Sequence, residues 1–241
     1  ALAGSGAAAL AGCAASPAAP TSSAAPVNVG TGDLGLVIER ARGAVAVVNT
    51  SSPRVLGEVI GLGDLSHASV VFSRDGLYGY VFGRDGGLTR VNLLTRAIEQ
   101  RVMQAGNSIG GAISADGTLV AAQNYTPGGV KVFDAGTLEL LADIPAVIDA
   151  GGPGARLSRV VGLVDLPGRR FAFSLFDGNA IWIADCSNAR RPVIARYNDI
   201  GRQPYDALVT PNGRHYIAGL FGEDGLAMLD LSTGEFWMEE A

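Results

Sequence analysis

The sequence predicts an all-β chain of β-propeller type, and three observations carry that expectation. Four segments repeat one layout: strand, tight turn, strand, Gly-rich turn, strand. Their turn glycines, Gly76, Gly117, Gly168 and Gly213, recur at roughly 40 to 50 residues, the period of a four-stranded blade. No stretch sustains apolar residues at the three- and four-residue spacing of a helix. A generic β-sandwich would leave the recurring turn unexplained.

The units follow in order. Residues 34–59, LGLVIERARGAVAVVNTSSPRVLGEV, form a degenerate first unit. The second runs VVFSRD (70–75), Gly76, then LYGYVFGRDGGLTRVNL. The third runs GAISAD (111–116), Gly117, then TLVAAQNYTPGGVKVFD. The fourth runs VVGLVDLP (160–167), Gly168, then RRFAFSLFDGNAIWIAD, and the fifth ALVTPN (207–212), Gly213, then RHYIAGLFGEDGLAMLD. The DG, PG and NG pairs supply the positive-φ positions that tight hairpins require. Tyr78–Phe82 and Ile181–Ala184 carry the Val, Ile and aromatic content of strands. Connectors such as LLTRAIEQRV and AGTLELLADI supply an outer strand. About five blades result, with a core large enough for 241 residues of which 48% are hydrophobic.

Ahead of the blades, residues 1–13 read as the end of a secretory signal closed by Leu10-Ala11-Gly12-Cys13. That ending resembles a bacterial lipobox, in which the Cys becomes a lipidated N-terminus. Acyl chains on Cys13 would anchor the protein to a membrane without a span. Ala14 is not the Asp that retains such lipoproteins in the inner membrane, so the outer membrane is expected. Residues 14–29, mostly Ala, Ser and Pro, read as a flexible tether. The folded part is expected over 30–241.

The net charge of −5 and the lack of a basic run argue against a nucleic-acid partner, which needs clustered Lys and Arg. Two cysteines and two histidines are too few and too scattered for a zinc site or a disulfide framework. Gly30-Thr31-Gly32-Asp33-Leu34-Gly35 matches G-x-G-x-x-G. A tether precedes it and a strand follows, so the helix N-terminus that would hold a pyrophosphate is missing. There is no C-x-x-C-H, so any haem is expected to be held without a covalent link.

A propeller leads its inner strands toward an axial channel. Nine residues before the four turn glycines stand His67, Ser108, Arg159 and Pro204, expected at equivalent places around one mouth of that channel. Asp64, Ser66, Asn107, Arg156, Ser158, Gln203, Tyr205 and Asp206 surround them. His67 is the one histidine of this rim, and a neutral imidazole is a common iron ligand. A loop histidine held by a hydrogen bond is the other reading. Arg84, Arg156 and Arg159 suit an anionic ligand, because guanidinium pairs with carboxylates in bidentate fashion. Each taken singly also fits ordinary surface charge. His215, just past Gly213, belongs at the opposite end of its blade and reads as structural.

The stretch LGDLSHASVVFSRDGLYGYVFGRDGGLTRVNL resembles the haem-ligand blade of the cytochrome cd1 nitrite reductase propeller. In that family a His just ahead of the inner strand is the proximal ligand of haem d1, and a GRDG follows the second strand. His67 and Arg84 occupy the matching positions. The enzyme has an Arg three residues after the His, where this chain has Val70. With GTGDLGLVIER at its opening, the chain is most similar to the haem d1 biosynthesis branch of the family.

That resemblance covers about residues 28 to 241 and implies a periplasmic protein acting late in haem d1 assembly for denitrification. It implies non-covalent binding of haem d1 or its dihydro precursor in the propeller channel, with His67, Arg84, Arg156, Arg159, Ser108 and Tyr205 around it. A dehydrogenase role is one implication and simple carriage another. Nitrite reductase and other maturation proteins are the implied partners. Because the family propeller has eight blades, the resemblance also implies that this sequence is a piece holding about five of them. A non-catalytic scaffold that binds proteins on its rim, and a nitrite reductase-like haem domain, are the competing expectations.

Overall fold

A computed structural model describes residues 31–239. The suggested lipobox with Cys13 and the tether at 14–29 lie outside the described residues. Five antiparallel sheets follow one another along the chain. The first contains β1 (Leu34–Glu39), β2 (Ala44–Asn49) and β3 (Arg54–Ile60); the second, β4 (Ser69–Phe72), β5 (Tyr78–Phe82), β6 (Gly87–Asn92) and β7 (Ala97–Met103). The third contains β8 (Asn107–Ile113), β9 (Leu119–Thr126), β10 (Val130–Asp134) and β11 (Leu140–Ile144). A two-stranded hairpin, β12 (Val147–Ile148) and β13 (Arg156–Leu157), precedes the fourth: β14 (Val160–Leu166), β15 (Arg170–Leu175), β16 (Ala180–Asp185) and β17 (Val193–Asn198). The fifth has β18 (Pro204–Val209), β19 (His215–Leu220), β20 (Leu226–Asp230) and β21 (Phe236–Glu239). Strands within each sheet pair in chain order, and the inner strands β4, β8, β14 and β18 stand side by side. The expected blades are therefore present, each ending in the outer strand drawn from its connector.

The repeated turn follows from side-chain chemistry. In SRDG and SADG the hydroxyls of Ser73 and Ser114 donate to Asp75 and Asp116, 2.5 and 2.6 Å away. In TPNG Thr210 donates to Asn212 at 2.7 Å. The same Asp or Asn oxygen then accepts the backbone N–H two residues on, at Leu77, Thr118 and Arg214. Short polar side chains thus satisfy the backbone that the turn leaves unpaired. The glycine that follows takes φ of 69°, 74° and 69° at Gly76, Gly117 and Gly213.

Both faces of a blade are buried, and strand alternation assigns each residue to one neighbour. On β15 Phe171, Phe173 and Leu175 face the third blade with Trp182 of β16, while Ala172 with Ile181 and Ile183 faces the fifth. Similar cores lie between the first and second blades around Val45, Val47, Val81 and Val91, and between the second and third around Tyr80, Phe82 and Leu88.

Two features depart from a plain repeat. The first sheet lacks an innermost strand among the described residues. Its Thr50 N–H donates to Asp33 O, matching Leu93 to Leu77, Ala135 to Thr118, Cys186 to Arg169 and Leu231 to Arg214. Each of these bonds ties the residue after a third strand to the residue before a second strand. By that register β1 is a second strand. The other departure is the β12–β13 hairpin, which makes the connection between the third and fourth blades the longest one. Thr31–Asp33, within the glycine motif, forms one 3-10 turn opening directly into β1, so no helix follows it.

Candidate functional site at the channel mouth

Antiparallel order places the start of every inner strand, the end of every second strand and the loop after it at one end of the molecule. His67 lies in the turn before β4, Arg84 in the loop after β5, and Tyr125 near the end of β9. Arg159 precedes β14, Phe176 and Asp177 follow β15, Tyr205 opens β18, and Phe221 follows β19. Sequence spacing had placed His67, Arg84, Arg159 and Tyr205 here. It missed Tyr125, Phe176, Asp177 and Phe221.

Apart from His67, these side chains form one aromatic and cationic wall. Phe176, Tyr205 and Phe221 meet in a triangle with ring centroids 5.6 to 5.9 Å apart, the separation of edge and tilted aromatic contacts. Phe176 and Tyr205 rest on Ile109 and Val161 of the inner strands together with Tyr125. The hydroxyls of Tyr125 and Tyr205 lie 2.8 Å apart, joining the third blade to the fifth across the start of β14. Burial, then the hydrogen bond from its partner, pushes the Tyr125 phenol above its ordinary range, so it stays protonated. The Arg84 guanidinium stands 5.6 Å from the Tyr125 ring centre, and that of Arg159 lies 5.9 Å from Tyr125 and 4.3 Å from Phe176.

The two arginines are not equivalent. Arg159 is spent on Asp177, with Nε to Oδ2 at 3.0 Å and Nη2 to Oδ1 at 2.6 Å, while its backbone N–H donates to the same carboxylate. Hydrogen bonding from Arg159 holds the Asp177 carboxyl below the usual range against the opposing effect of burial. Arg84 has no ion pair and no side-chain hydrogen bond among the described residues. Its neighbour Asp85 is taken by Arg101 at 2.7 Å. Arg84 is instead fixed through its backbone: its N–H donates to Asp64 O at 2.7 Å, and its carbonyl accepts from Ser108 N.

Two of the expected site residues lie behind or beside the wall rather than in it. Ser108 is fully buried and its hydroxyl donates to Gln123 O at 2.8 Å, so it supports the wall from beneath. Arg156 projects from the β12–β13 hairpin and pairs with Asp149 at 2.9 Å. It lines a cavity of about 790 Å³ between that hairpin and the fourth blade, and Asp177 lines the same cavity. His67 is exposed and free of side-chain hydrogen bonds among the described residues, an imidazole open to a ligand at the rim. His215 lies at the opposite end of its blade, 3.8 Å from the Asp230 carboxylate and edge-on to Trp237, as a structural residue would. At that opposite end Arg74 reaches across to Ile113 O, Ser114 O and Asp165.

An exposed imidazole, an unpaired guanidinium and an aromatic wall at a propeller mouth have the makings of a site for a planar, anionic, metal-bearing ligand. Residues 29–240 match the cytochrome D1 heme domain family, and the chain belongs to that family. Within it, the chain is 63% identical over 202 residues to Protein NirF of Stutzerimonas stutzeri, and equally to Protein NirF of Pseudomonas aeruginosa. The match covers 84% of this chain and 51% of each relative, so the chain spans about half the length of these relatives. Among solved structures, dihydro-heme d1 dehydrogenase NirN in complex with DHE superposes with a TM-score of 0.77 at 25% identity. That superposition covers 88% of this chain and 44% of the other.

Proposed function

We propose that the protein binds haem d1 or its dihydro precursor non-covalently at this mouth, in a late step of haem d1 biosynthesis serving nitrite reductase in denitrification. The observation that carries the reading is the unpaired Arg84 beside the Tyr125, Phe176, Tyr205 and Phe221 wall, in a chain of the cytochrome D1 heme domain family. The donor set fits the group. His67 would hold the iron through a neutral nitrogen. Arg84 would receive a carboxylate, and the aromatic wall would lie against the macrocycle. Arg159, already neutralised by Asp177, would serve as a flat stacking surface rather than as an anion receptor. The bound group supplies the redox and ligand chemistry; the chain orients it and covers one side.

The test is a spectral titration of haem d1 into the natural full-length protein. His67→Ala is expected to change the absorption spectrum of the complex. Arg84→Ala is expected to weaken binding by roughly 10- to 100-fold, the worth of a charge-assisted hydrogen bond. Identical spectra and affinities in both variants would refute the site. The same reading puts the protein in the periplasm, held at the outer membrane by lipid on Cys13. Cys13→Ser is then expected to shift it from the membrane to the soluble fraction.

A further inference from the structure

We infer that the Tyr125–Tyr205 hydroxyl pair is a specificity element that reads an ionised carboxylate on the ligand; the inference rests on the tetrapyrrole reading above. The two hydroxyls come from β9 and β18, 80 positions apart in sequence, and either can serve as donor. A two-hydroxyl pair spends one O–H on itself and keeps the other. The pair therefore presents one outward donor, fixed in place by its partner. Phe176 and Phe221 pack on the Tyr205 ring, and Ile109, Val161 and Phe176 underlie both tyrosines, so neither phenol swings freely.

The surroundings select the acceptor. Two guanidinium groups stand over the Tyr125 ring, 5.6 and 5.9 Å from its centre. Arg159 is paired with Asp177. Arg84 forms no salt bridge among the described residues, although the Asp64 carboxylate lies within its Coulombic reach. Both guanidiniums act on the Tyr125 phenol as positive charge, so the field at the pair favours an anion. An O–H that donates to a carboxylate makes a charge-assisted bond. Donated to an ester carbonyl it makes a neutral one of roughly half the strength. The pair also ties the third blade to the fifth, and a purely structural tie would act alike on charged and uncharged ligands.

The experiment uses iron protoporphyrin and its dimethyl ester as probes, titrated in one detergent buffer into the natural full-length protein. The variants are Tyr125→Phe, Tyr205→Phe and the double variant, which keep both rings. The parent is expected to bind the acid more tightly than the ester. The double variant should lose about tenfold in affinity for the acid and leave the ester unchanged. One single variant should account for most of that loss, identifying the outward hydroxyl. Equal losses for acid and ester, or no loss for the acid in a double variant with an unchanged thermal melt, would overturn the inference. A parent that binds neither probe would instead remove the tetrapyrrole reading, and this one with it.

Discussion

Arg84 and Arg159 show how little the identity of a residue says until its partners are known. Both stood out in the sequence as cations of one rim, but Asp177 claims one and Arg101 draws off the acid beside the other. Neither Asp177 nor Tyr125 was legible. Asp177 follows a strand in an ordinary FDG turn, and Tyr125 stands in the polar second half of LVAAQNYT, so only the blade packing shows that each faces a partner. The Arg159–Asp177 pair has a pH signature. Asp177 is held below its ordinary value, so its stabilising contribution is complete above the unfolded carboxylate pKa of about 3.9. It is lost as pH falls through the lower folded value. Thermal melts from pH 7 to pH 3 should therefore fall in the parent. Asp177→Asn should start lower at pH 7 and fall less steeply. Cys186 offers a second check at this scale. Its thiol is fully buried and burial pushes it up to about 12, so almost no thiolate exists at pH 8. Alkylation by iodoacetamide is expected only after denaturation; rapid labelling of the folded chain at Cys186 would contradict its burial.

Strands and turns obey rules that a linear sequence displays well, and the places where they bend are the places it hides. The S/T-x-D/N-G turns were readable because their hydrogen bonds are local. The bulge in β14 was not, because it answers to another blade. Between Val161 and Val164 the pairing with β15 slips, and Gly162 takes φ of 62°. A Cβ there would lie 2.6 Å from Tyr205 O and 2.9 Å from the Tyr216 hydroxyl, which itself donates to Gly162 O. The bulge thus lets the fifth blade close against the fourth beneath the tyrosine pair. Gly162→Ala is expected to cost more than about 2 kcal/mol, combining a left-handed alanine with contact against fixed backbone. Gly61→Ala makes the control: φ is also positive at 89°, but nothing lies within 4 Å of its Cβ. It should cost about 1 kcal/mol, less what the stiffer unfolded chain returns. Urea denaturation midpoints that fall equally in the two variants would show that the close approach at Gly162 carries no energetic weight.

At the scale of the whole molecule, repetition made the propeller legible, because each unit restates the same turn and strand order. The same repetition concealed the character of the first unit. Its three strands looked like a worn blade, whereas the Asp33–Thr50 hydrogen bond aligns β1 with the second strands of the others. One edge of β1 therefore presents unpaired backbone among the described residues. The sheets at the two ends of the series also expose apolar side chains. Val37 is 51% and Ile60 69% exposed on the first sheet, and Trp237 38% and Met238 54% on the last. Between blades, equivalent faces are the interblade cores. Apolar surface left in water costs roughly 25 cal/mol per Å², and an open strand edge is a template for pairing. The 241-residue chain, produced as such, is expected to self-associate as concentration rises, by β pairing at β1 and by contact between these end faces. Sedimentation velocity over a range of loading concentrations measures it. A lysine at Val37 should weaken the association, since charge on a strand edge opposes pairing. A chain that stays monomeric at every concentration would mean that the end faces do not drive contact.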